Sequence, residues 1–515
     1  MPGSGSGVKL RHILTRAGTH VTANRPARNV VLNLFGGAWV GLLIVLATPW
    51  YVSRLGLGGY GIVGLWLMMQ VMLGLLDMGI GATLVRGLAN AGSDNGGLEF
   101  KRDLLKTLEI VYWAIAASLT LALVLASGWI GGNWLRADTL PSDTIGTVLR
   151  LMAITLGLQF PYALYSNGLI GLQAHARMNA LQILGNTLRY GGGAAILYWR
   201  ADLVWFFGIQ ILVAAVQTLA ARGVVWRLIS LQHSRPPSFR PDIVRQLRRF
   251  SSGMALTAAW AVLLANADRI VLSKMASTEV LGKYAVAFTA AGLLQLGIQP
   301  FYRTYFPRYS ELVSLADATR LRNEYFQSCR VMALILVPLG SLGFVFAPDL
   351  LQVWLGRHDD TITDTFRLLL IGITCSGLVW LPAAFQQAHG WTRLHTSMIA
   401  GALLVGAPIM VLAIPRFGAA GATVVWLLHG LSGITVGLWL MHRRLLVGEL
   451  PHWYRSVLVL PMLTGLPLIG LSGWLMPPGQ ARWMSLTWIG LTGLVAVLLP
   501  LWYHQTRARN GVDSN

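Results

Sequence analysis

Long apolar segments constrain this 515-residue chain more than any other feature. A helix needs about 20 apolar residues to cross the hydrocarbon core of a bilayer. In lipid every backbone amide needs a partner inside the protein, and the two-residue period of a barrel is absent here. We therefore predict an all-α integral membrane protein with about 14 transmembrane helices. The segments lie near residues 30–52, 60–84, 107–131, 146–170, 178–199, 203–225, 251–274, 281–305, 325–348, 364–386, 394–414, 418–440, 456–476 and 483–503.

The composition excludes several other classes of protein. Only 12% of the residues are charged, and the mean hydropathy is +0.58. The net charge of +20 does not indicate a nucleic-acid partner, because the basic residues lie between apolar segments rather than on one solvated face. The two cysteines, Cys329 and Cys375, form neither a disulfide framework nor a metal-binding spacing. We expect no cofactor.

The positions of lysine and arginine predict the orientation of the chain. About 28 of the 40 lie on one set of alternate connections, together with the two ends of the chain, and about eight lie on the other set. Cytoplasmic connections of membrane proteins carry this excess of positive charge. Both termini are therefore expected in the cytoplasm. The basic tail, residues 1–29, lacks the apolar block of a signal peptide and is expected to be disordered.

Two short motifs recur at equivalent places in the two halves of the chain. LGGY, Leu57–Tyr60, follows the first segment, and LGKY, Leu281–Tyr284, follows the seventh. QAHAR, starting at Gln173, follows the fourth segment, and QAHGWTR follows the tenth. We predict two six-helix lobes related by a parallel pseudo-twofold axis, with a cavity between them. The predicted units are the tail, a first lobe at 30–227, a cytoplasmic linker at 228–250, a second lobe at 251–441, and two extra helices with a cytoplasmic tail at 442–515.

The seventh segment carries a polar group, Asn266, Asp268 and Arg269, within ANADRIVLSKM. A charge buried in the bilayer costs several kcal/mol unless it is paired or hydrated. One interpretation is a neutralised group near the helix end, with Arg269 extending outward; the other is a group that faces a hydrated cavity. Adjacent helical residues point in different directions, so Asp268 and Arg269 are expected to contact different helices.

Two further charges lie inside predicted helices. Arg189 is near the middle of the fifth segment, which contains no acidic residue, so it requires a partner elsewhere or a hydrated site. Asp77 lies in the second segment between Gly74 and Gly79, which allow close helix packing. Asp77 either caps or bridges a neighbouring helix, or contributes to the cavity.

The eighth segment ends in GIQPFYRTYFPRYS, which contains Gln299, Pro300 and Arg303. Pro300 removes a backbone hydrogen bond and is expected to bend the helix. Arg303 would then lie at the cytoplasmic mouth, either in an interfacial belt of tyrosine and arginine or in a binding site. Asn33 in the first segment and Gln159 in the fourth are further candidates to line a cavity.

No arrangement of residues indicates catalysis. The chain contains no phosphate-binding Walker loop, and its histidines form no metal-binding pattern. The outer connections are short, which argues against a glycan-transferring enzyme. Transport is therefore favoured over chemistry.

The stretch from NVVLNLFGGAWVG to LLDMGIGATLVRGLA resembles the N-terminal signature of bacterial polysaccharide flippases. These belong to the multidrug/oligosaccharidyl-lipid/polysaccharide exporter superfamily. NADRIVLSKM, LGKYAVA and QPFYRTYFPRYSEL resemble the family's Asp-Arg signature and the start of its second lobe. The resemblance covers essentially the whole chain. It implies two six-helix lobes arranged as a V around a central cavity.

The resemblance also implies a function and a location. The expected activity is movement of an undecaprenyl-pyrophosphate-linked oligosaccharide from the cytoplasmic to the periplasmic leaflet of the bacterial inner membrane. The expected partners are this lipid-linked glycan, a glycan polymerase and other assembly proteins. The predicted roles are pyrophosphate contacts by Arg189, Arg269 and Arg303, hydrogen bonds to sugars by Asn33, Asn266 and Gln299, and charge tuning or coupling to H⁺ or Na⁺ by Asp77 and Asp268.

Two other transport functions remain open at this point. A cation-coupled drug antiporter of the same superfamily would use an acidic ion site in the first lobe, where Asp77 stands nearly alone. A peptidoglycan-precursor flippase would carry more cations in its cavity, and the first segment has none between Arg28 and Arg54. A membrane-embedded polymerase or a scaffold fits the short outer loops and the buried charges less well.

Overall fold

The computed structural model describes residues 6–77, 80–92, 95–136, 141–230, 235–477 and 481–509. These residues form helices and one isolated backbone bridge, with no strand among them. The helices of the first lobe are α1 (Ser6–Asp77), α2 (Ile80–Asn90), α3 (Asn95–Trp129), α4 (Ser142–Gly171), α5 (His175–Trp199) and α6 (Leu203–Leu228). The all-α prediction is confirmed.

The second lobe and the C-terminal helices follow the same pattern. Those of the second lobe are α7 (Pro241–Met275), α8 (Thr278–Ser314), α9 (Ala318–Val345), α10 (Ala347–Leu355), α11 (Asp360–Ala388), α12 (Arg393–Phe417), α13 (Val424–Ser432) and α14 (Leu438–Leu445). The last three are α15 (Leu450–Trp453), α16 (Leu460–Leu475) and α17 (Arg482–Arg509). Short π-helical or 3₁₀ segments join α13 to its neighbours and α15 to α16.

The described helices account for the predicted membrane spans. Within the described residues, 11 stretches are long and apolar enough to cross a bilayer. The stretch in α1 counts once, although Gly56 (φ 70°, ψ 175°) divides that helix into two spans. The remaining predicted spans are α5, which carries Arg189, and α7, for which many side chains lie outside the described residues. The chain is a multi-pass membrane protein.

One local expectation from the sequence is corrected, and two further helix positions are defined by the structure. Helix α1 begins at Ser6, so most of the tail expected to be disordered continues the first span as helix, which is less costly than starting a new one. Helix α7 begins at Pro241, inside the linker predicted at 228–250. Proline is well suited to the first turn of a helix, where its missing N–H costs nothing. Helix α8 continues as one helix through Pro300.

The two lobes join at the end predicted to be periplasmic, which we call the outer end. There α1 crosses α8 at the two repeated motifs: a Cβ at Gly61 would lie 2.1 Å from the carbonyl oxygen of Thr278, and one at Gly282 would lie 1.9 Å from that of Leu57. Only glycine allows backbones to approach this closely. The Thr278 amide also donates to the carbonyl of Arg136 at 3.0 Å.

The hydrophobic core divides differently at the two ends. In the outer half, one cluster contains side chains of both lobes, such as Trp66 and Phe206 with Tyr284 and Phe366. In the inner half there are two clusters among the described residues, and one of them is confined to residues of α8–α15 and the segments that adjoin those helices. The other contains α1–α6 and Ile243 at the start of α7. The lobes are therefore sealed together at the outer end and packed as separate bodies toward the inner end.

The connection between the lobes is held by the first lobe. Arg235 pairs with Asp103 at 2.6 Å and with Glu99 at 3.2 Å, both on α3. The Ser238 amide donates to the other carboxylate oxygen of Asp103 at 2.7 Å. Asp103 is 1% exposed, and a buried carboxylate requires such donors. The connection therefore binds the protein surface rather than serving only as a flexible tether.

Helices α16 and α17 pack on the flank of the second lobe, against α9. Gly465 allows α16 to approach Pro338, and Ser472 and Thr492 join α16 to α17 at 2.6 Å. Many of their other side chains are exposed, including Trp474. These helices therefore extend the membrane-embedded surface and do not line the space between the lobes.

Candidate functional site: a cationic cavity between the lobes

A cavity of about 450 Å³ lies between the two lobes. Its walls come from both spans of α1, from α4, and from α7 and α8 of the second lobe. Most of the lining is apolar. The polar lining side chains are Gln70, Gln159, Arg269 and Thr289.

Arg269 is the charged side chain that lines this cavity. Its guanidinium carbon lies 3.9 Å from the ring centroid of Phe288, so the planar group contacts an aromatic face. Arg269 is 9% exposed, and its Nε has no hydrogen-bond partner among the described residues. An aromatic contact stabilises the cation without using its N–H donors. The ion pairs among the described residues do not include Arg269, so it brings positive charge to the cavity wall and can attract an anion there.

Asp268 does not neutralise the Arg269 side chain by a direct ion pair. Its Oδ2 accepts from the Tyr284 hydroxyl and from Trp426 Nε1, the latter at 2.9 Å, while its Oδ1 accepts from the backbone N–H of Arg269 at 2.8 Å. Asp268 is fully buried. These contacts join α7 to α8 and α13. Asn266, also buried, donates to the Val262 carbonyl at 2.8 Å within its own helix.

Arg189 lies in the first lobe, 5% exposed, and is bound by neutral acceptors. Nη1 donates to Gln70 Oε1 at 3.2 Å and Nη2 donates to Gln217 Oε1 at 3.1 Å. Gln210 Nε2 donates to the Arg189 carbonyl at 3.1 Å. Glycine at 185 makes room for this network, since a Cβ there would lie 2.1 Å from Gln217 Nε2. The ion pairs found among the described residues do not include Arg189, so its charge is not cancelled by a direct partner.

Gln70 connects Arg189 to the cavity. Its Oε1 also accepts from Gln159 Nε2 at 3.1 Å, and both glutamines line the cavity. Gln70 Nε2 and Gln159 Oε1 are buried and have no protein partner within the described part of the chain. Such groups are costly to bury unless something else hydrogen-bonds to them. One donor and one acceptor of the glutamines that line the cavity with Arg269 thus have no protein partner.

Asp77 is placed at a helix junction rather than in this cavity. It is the last residue of α1, and it accepts from the Gly81 amide of α2 at 3.1 Å and from the Tyr112 hydroxyl of α3. It is partly buried. A carboxylate at the start of a helix satisfies free amides and interacts favourably with the helix dipole. The arrangement corresponds to the capping interpretation of the sequence.

Two other predicted site residues, Arg303 and Gln299, do not line the cavity. Arg303 and Gln299 are exposed side chains on the inner half of α8. The neighbouring Tyr302 donates to Gln387 at 2.8 Å and stacks on Phe306. The side chain of Asn33 lies outside the described residues. Their predicted contacts with pyrophosphate and sugars stay predictions.

Two polar groups in the first lobe were missed by the sequence interpretation. Gln70 was passed over inside the apolar run LWLMMQVML, although a lone amide there is itself a signal of a polar partner. Glu109, in LLKTLEIVYW, is 4% exposed, pairs with Arg222, and accepts from Tyr165 at 2.8 Å. The Glu109 contacts join α3, α4 and α6, so the role they support is structural.

The arrangement can hold a negatively charged polar group in a largely apolar chamber. Cationic and amide side chains from both lobes converge there, and no carboxylate lies among the described lining residues. Guanidinium groups form paired hydrogen bonds with phosphate oxygens. A coordinating cluster of three or more His, Cys, Asp or Glu side chains is absent from the described residues.

The amino-acid sequence matches one known family over more than half its length. Residues 27–313 match the family described as "Polysaccharide biosynthesis protein". A protein of Shigella flexneri named "Putative O-antigen transporter" is 23% identical over 434 residues, which is 82% of this chain and 99% of that protein.

Solved structures share the fold. The lipid II flippase MurJ in an inward closed conformation has a TM-score of 0.67 at 11% identity, covering 93% of this chain and 99% of that chain. An inward-facing multidrug resistance MATE family transporter of the MOP superfamily has a TM-score of 0.65 at 15% identity, covering 79% of this chain and 94% of that chain. At such identities the likeness concerns the fold alone.

Proposed function

Since this chain belongs to the polysaccharide biosynthesis protein family of membrane transporters, we propose that it moves a lipid-linked glycan across the membrane. The proposed substrate is an undecaprenyl-pyrophosphate-linked oligosaccharide, carried from the cytoplasmic to the periplasmic leaflet of a bacterial inner membrane. The observation that carries the proposal is the convergence of Arg269 and the Arg189–Gln70 pair on one cavity between the lobes.

The cavity chemistry suits the head group of this substrate. A pyrophosphate cannot cross hydrocarbon unaided, because burial of an uncompensated charge costs many kcal/mol. Arg269 offers unused N–H donors to phosphate oxygens, and Arg189 contributes positive potential from behind Gln70. The amides of Gln70 and Gln159 offer a donor and an acceptor to sugar hydroxyls.

The packing of the lobes supports alternating access. The lobes share a core at the outer end and have separate cores at the inner end. A rigid rotation of one lobe on the other would open the α1–α8 crossing and close the inner gap. We propose that the described conformation accepts substrate from the cytoplasmic side, with both termini in the cytoplasm.

A cation-coupled drug antiporter is supported less well. Such a function needs a carboxylate that a cation can reach, and the charged lining residue of the cavity is an arginine. We retain H⁺ or Na⁺ as the proposed coupling ion. Asp77 suits that role better than Asp268, because the buried Asp268 already accepts three hydrogen bonds. A glycan polymerase and other assembly proteins remain proposed partners.

The proposal is tested by Arg269→Ala in a deletion strain that depends on this protein for glycan export. Loss of charged hydrogen bonds to the substrate costs about 1.5–3 kcal/mol or more, so export should fall about tenfold or more at normal protein level. Lipid-linked glycan should accumulate on the inner leaflet. Arg416→Ala, which alters an exposed arginine near the end of α12 and outside the cavity, is the matched control. Normal export by Arg269→Ala would contradict the proposal.

A further inference from the structure

A second chamber, of about 290 Å³, lies beside the cationic cavity and is almost entirely apolar. It contains four methionines, Met68, Met69, Met72 and Met152, which adapt readily to irregular ligands. Two of its polar side chains are bonded to protein atoms, since Trp134 Nε1 donates to Ser273 Oγ at 3.0 Å and Ser273 donates to a backbone carbonyl. The described lining contains no charged side chain that could bind a phosphate.

Three helices form walls of both chambers. On α1, Gln70 faces the cationic cavity, whereas Met69 faces the apolar chamber. On α7, Arg269 lines the cationic cavity and Ile270 lines the apolar chamber. On α4, Gln159 lines the cationic cavity and Leu156, about one turn earlier, lines the apolar chamber. The polar and apolar chambers therefore adjoin at the same helices.

The apolar chamber also reaches the membrane-facing side of the first lobe. Trp129, in its lining, is 58% exposed. Leu125, one turn earlier on α3, is 74% exposed and does not line the chamber. Apolar side chains that remain exposed in a membrane-spanning helix face lipid. A hydrocarbon chain can therefore reach the chamber from the bilayer without passing through water.

We propose that this chamber binds the first isoprenoid units of the lipid whose pyrophosphate lies in the cationic cavity. The inference rests on the proposed function and adds to it the position of the lipid chain. A chain leaving the bilayer for an apolar pocket gains only packing contacts, so the chamber does not select lipids by hydrophobicity. A chain tethered to a bound head group is instead held there at high effective concentration.

The first test uses the wild-type protein in lipid nanodiscs. Two probes are compared: farnesyl pyrophosphate with a diazirine on its first isoprene unit, and farnesol with the same diazirine. After irradiation, peptides that contain residues 65–72 and 149–156 should carry about tenfold more label from the pyrophosphate probe. Label at Leu125, which faces lipid, should be equal for the two probes and serves as the internal control. Equal labelling of the chamber would overturn the inference.

The second test fills the chamber. Ala153, which is buried in its lining, is replaced by phenylalanine, and Leu125→Phe is the matched variant outside the chamber. Ala153→Phe should lose chamber labelling by the pyrophosphate probe, whereas Leu125→Phe should keep it. Binding of inorganic pyrophosphate, followed by calorimetry, should be unchanged in both. If Ala153→Phe is labelled as strongly as wild type, the proposed position of the isoprenoid chain is refuted and the proposed function is not. If the wild-type protein does not bind pyrophosphate, both the proposed function and this inference are refuted.

Discussion

The two arginines that are buried in the described part of the chain differ in their hydrogen-bond partners. In the first lobe, Arg189 donates through Nη1 and Nη2 to the oxygens of Gln70 and Gln217, and its guanidinium carbon lies 5.9 Å from the ring centroid of Trp66. In the second lobe, Arg269 rests on the face of Phe288 with unused donors beside the cavity. A charge held by amides keeps its field but has little freedom to bind a ligand. A charge held by an aromatic face keeps its electric field and also its freedom to bind a ligand.

Asp268 and Asp77 also differ, both in burial and in the hydrogen bonds that they accept. Asp268 is fully buried and accepts three hydrogen bonds from three places in the second lobe. Asp77 is partly buried at the junction of α1 and α2 and accepts two. Each lobe thus has an arginine near the cavity and an aspartate that organises helices. In the first lobe, Asp77 and Arg189 are far apart in sequence, whereas in the second lobe Asp268 and Arg269 are adjacent.

The largest effect is expected from Asp268→Ala. The substitution leaves the Tyr284 hydroxyl and Trp426 Nε1 buried without an acceptor, and it removes the carboxylate nearest to the Arg269 backbone. We expect a loss of about 3–5 kcal/mol in stability, read as a lower apparent Tm in detergent. Asp268→Asn keeps the shape and one acceptor and should lose less. An unchanged Tm for Asp268→Ala would show that the aspartate does not organise these helices.

A smaller effect is expected from Arg189→Met. The variant loses two hydrogen bonds but also removes an unpaired buried charge, so the net cost should be about 1–2 kcal/mol. Export should fall while pyrophosphate binding at Arg269 is retained in part. Arg189→Lys separates the two roles: the lysine keeps the charge but cannot bridge Gln70 and Gln217 as a planar fork does. If Arg189→Lys exports normally, the positive charge of Arg189 is what export requires. If it exports as poorly as Arg189→Met, Arg189 acts by positioning Gln70.

The smallest change in stability is expected from Asp77→Asn. Asparagine still accepts from the Gly81 amide and also suits a helix start, so the cost should stay within about 1 kcal/mol. If Asp77 couples export to an ion gradient, the variant should export at a rate that no longer responds when the proton or sodium gradient is collapsed. If export by the variant responds to the collapsed gradient as wild type does, Asp77 does not couple export to that gradient. Asp77 would then organise helices only, as Asp268 does.

Much of the fold could be predicted from the sequence because membrane helices are local structures. Each apolar segment must form its own backbone hydrogen bonds in lipid, so its length and composition determine it. The repeated motifs predicted two similar halves, and the structure places LGGY and LGKY at the crossing of α1 and α8. The extent of α1 toward Ser6 and the start of α7 were predicted less well, because helix ends in polar sequence depend on what they contact.

The candidate site could be predicted only in part. Arg269 and Gln159 were named and line the cavity, whereas Gln70 was overlooked and Arg303 lies outside it. A sequence shows that a polar residue lies inside a membrane helix, but not which side of that helix faces the partner lobe. The side of a helix that faces the cavity is determined only by the packing of the two lobes against each other.

The amino-acid sequence by itself determined that this protein is a bundle of membrane helices with two repeated halves and buried cations, because lipid leaves a chain few alternatives. The tertiary structure alone decided that Arg269 faces the cavity, that Arg189 reaches it through Gln70, and that Asp268 binds tyrosine and tryptophan side chains instead of the Arg269 side chain. The physical reason is that burial and hydrogen-bond partners belong to contacts between helices, which no single helix specifies.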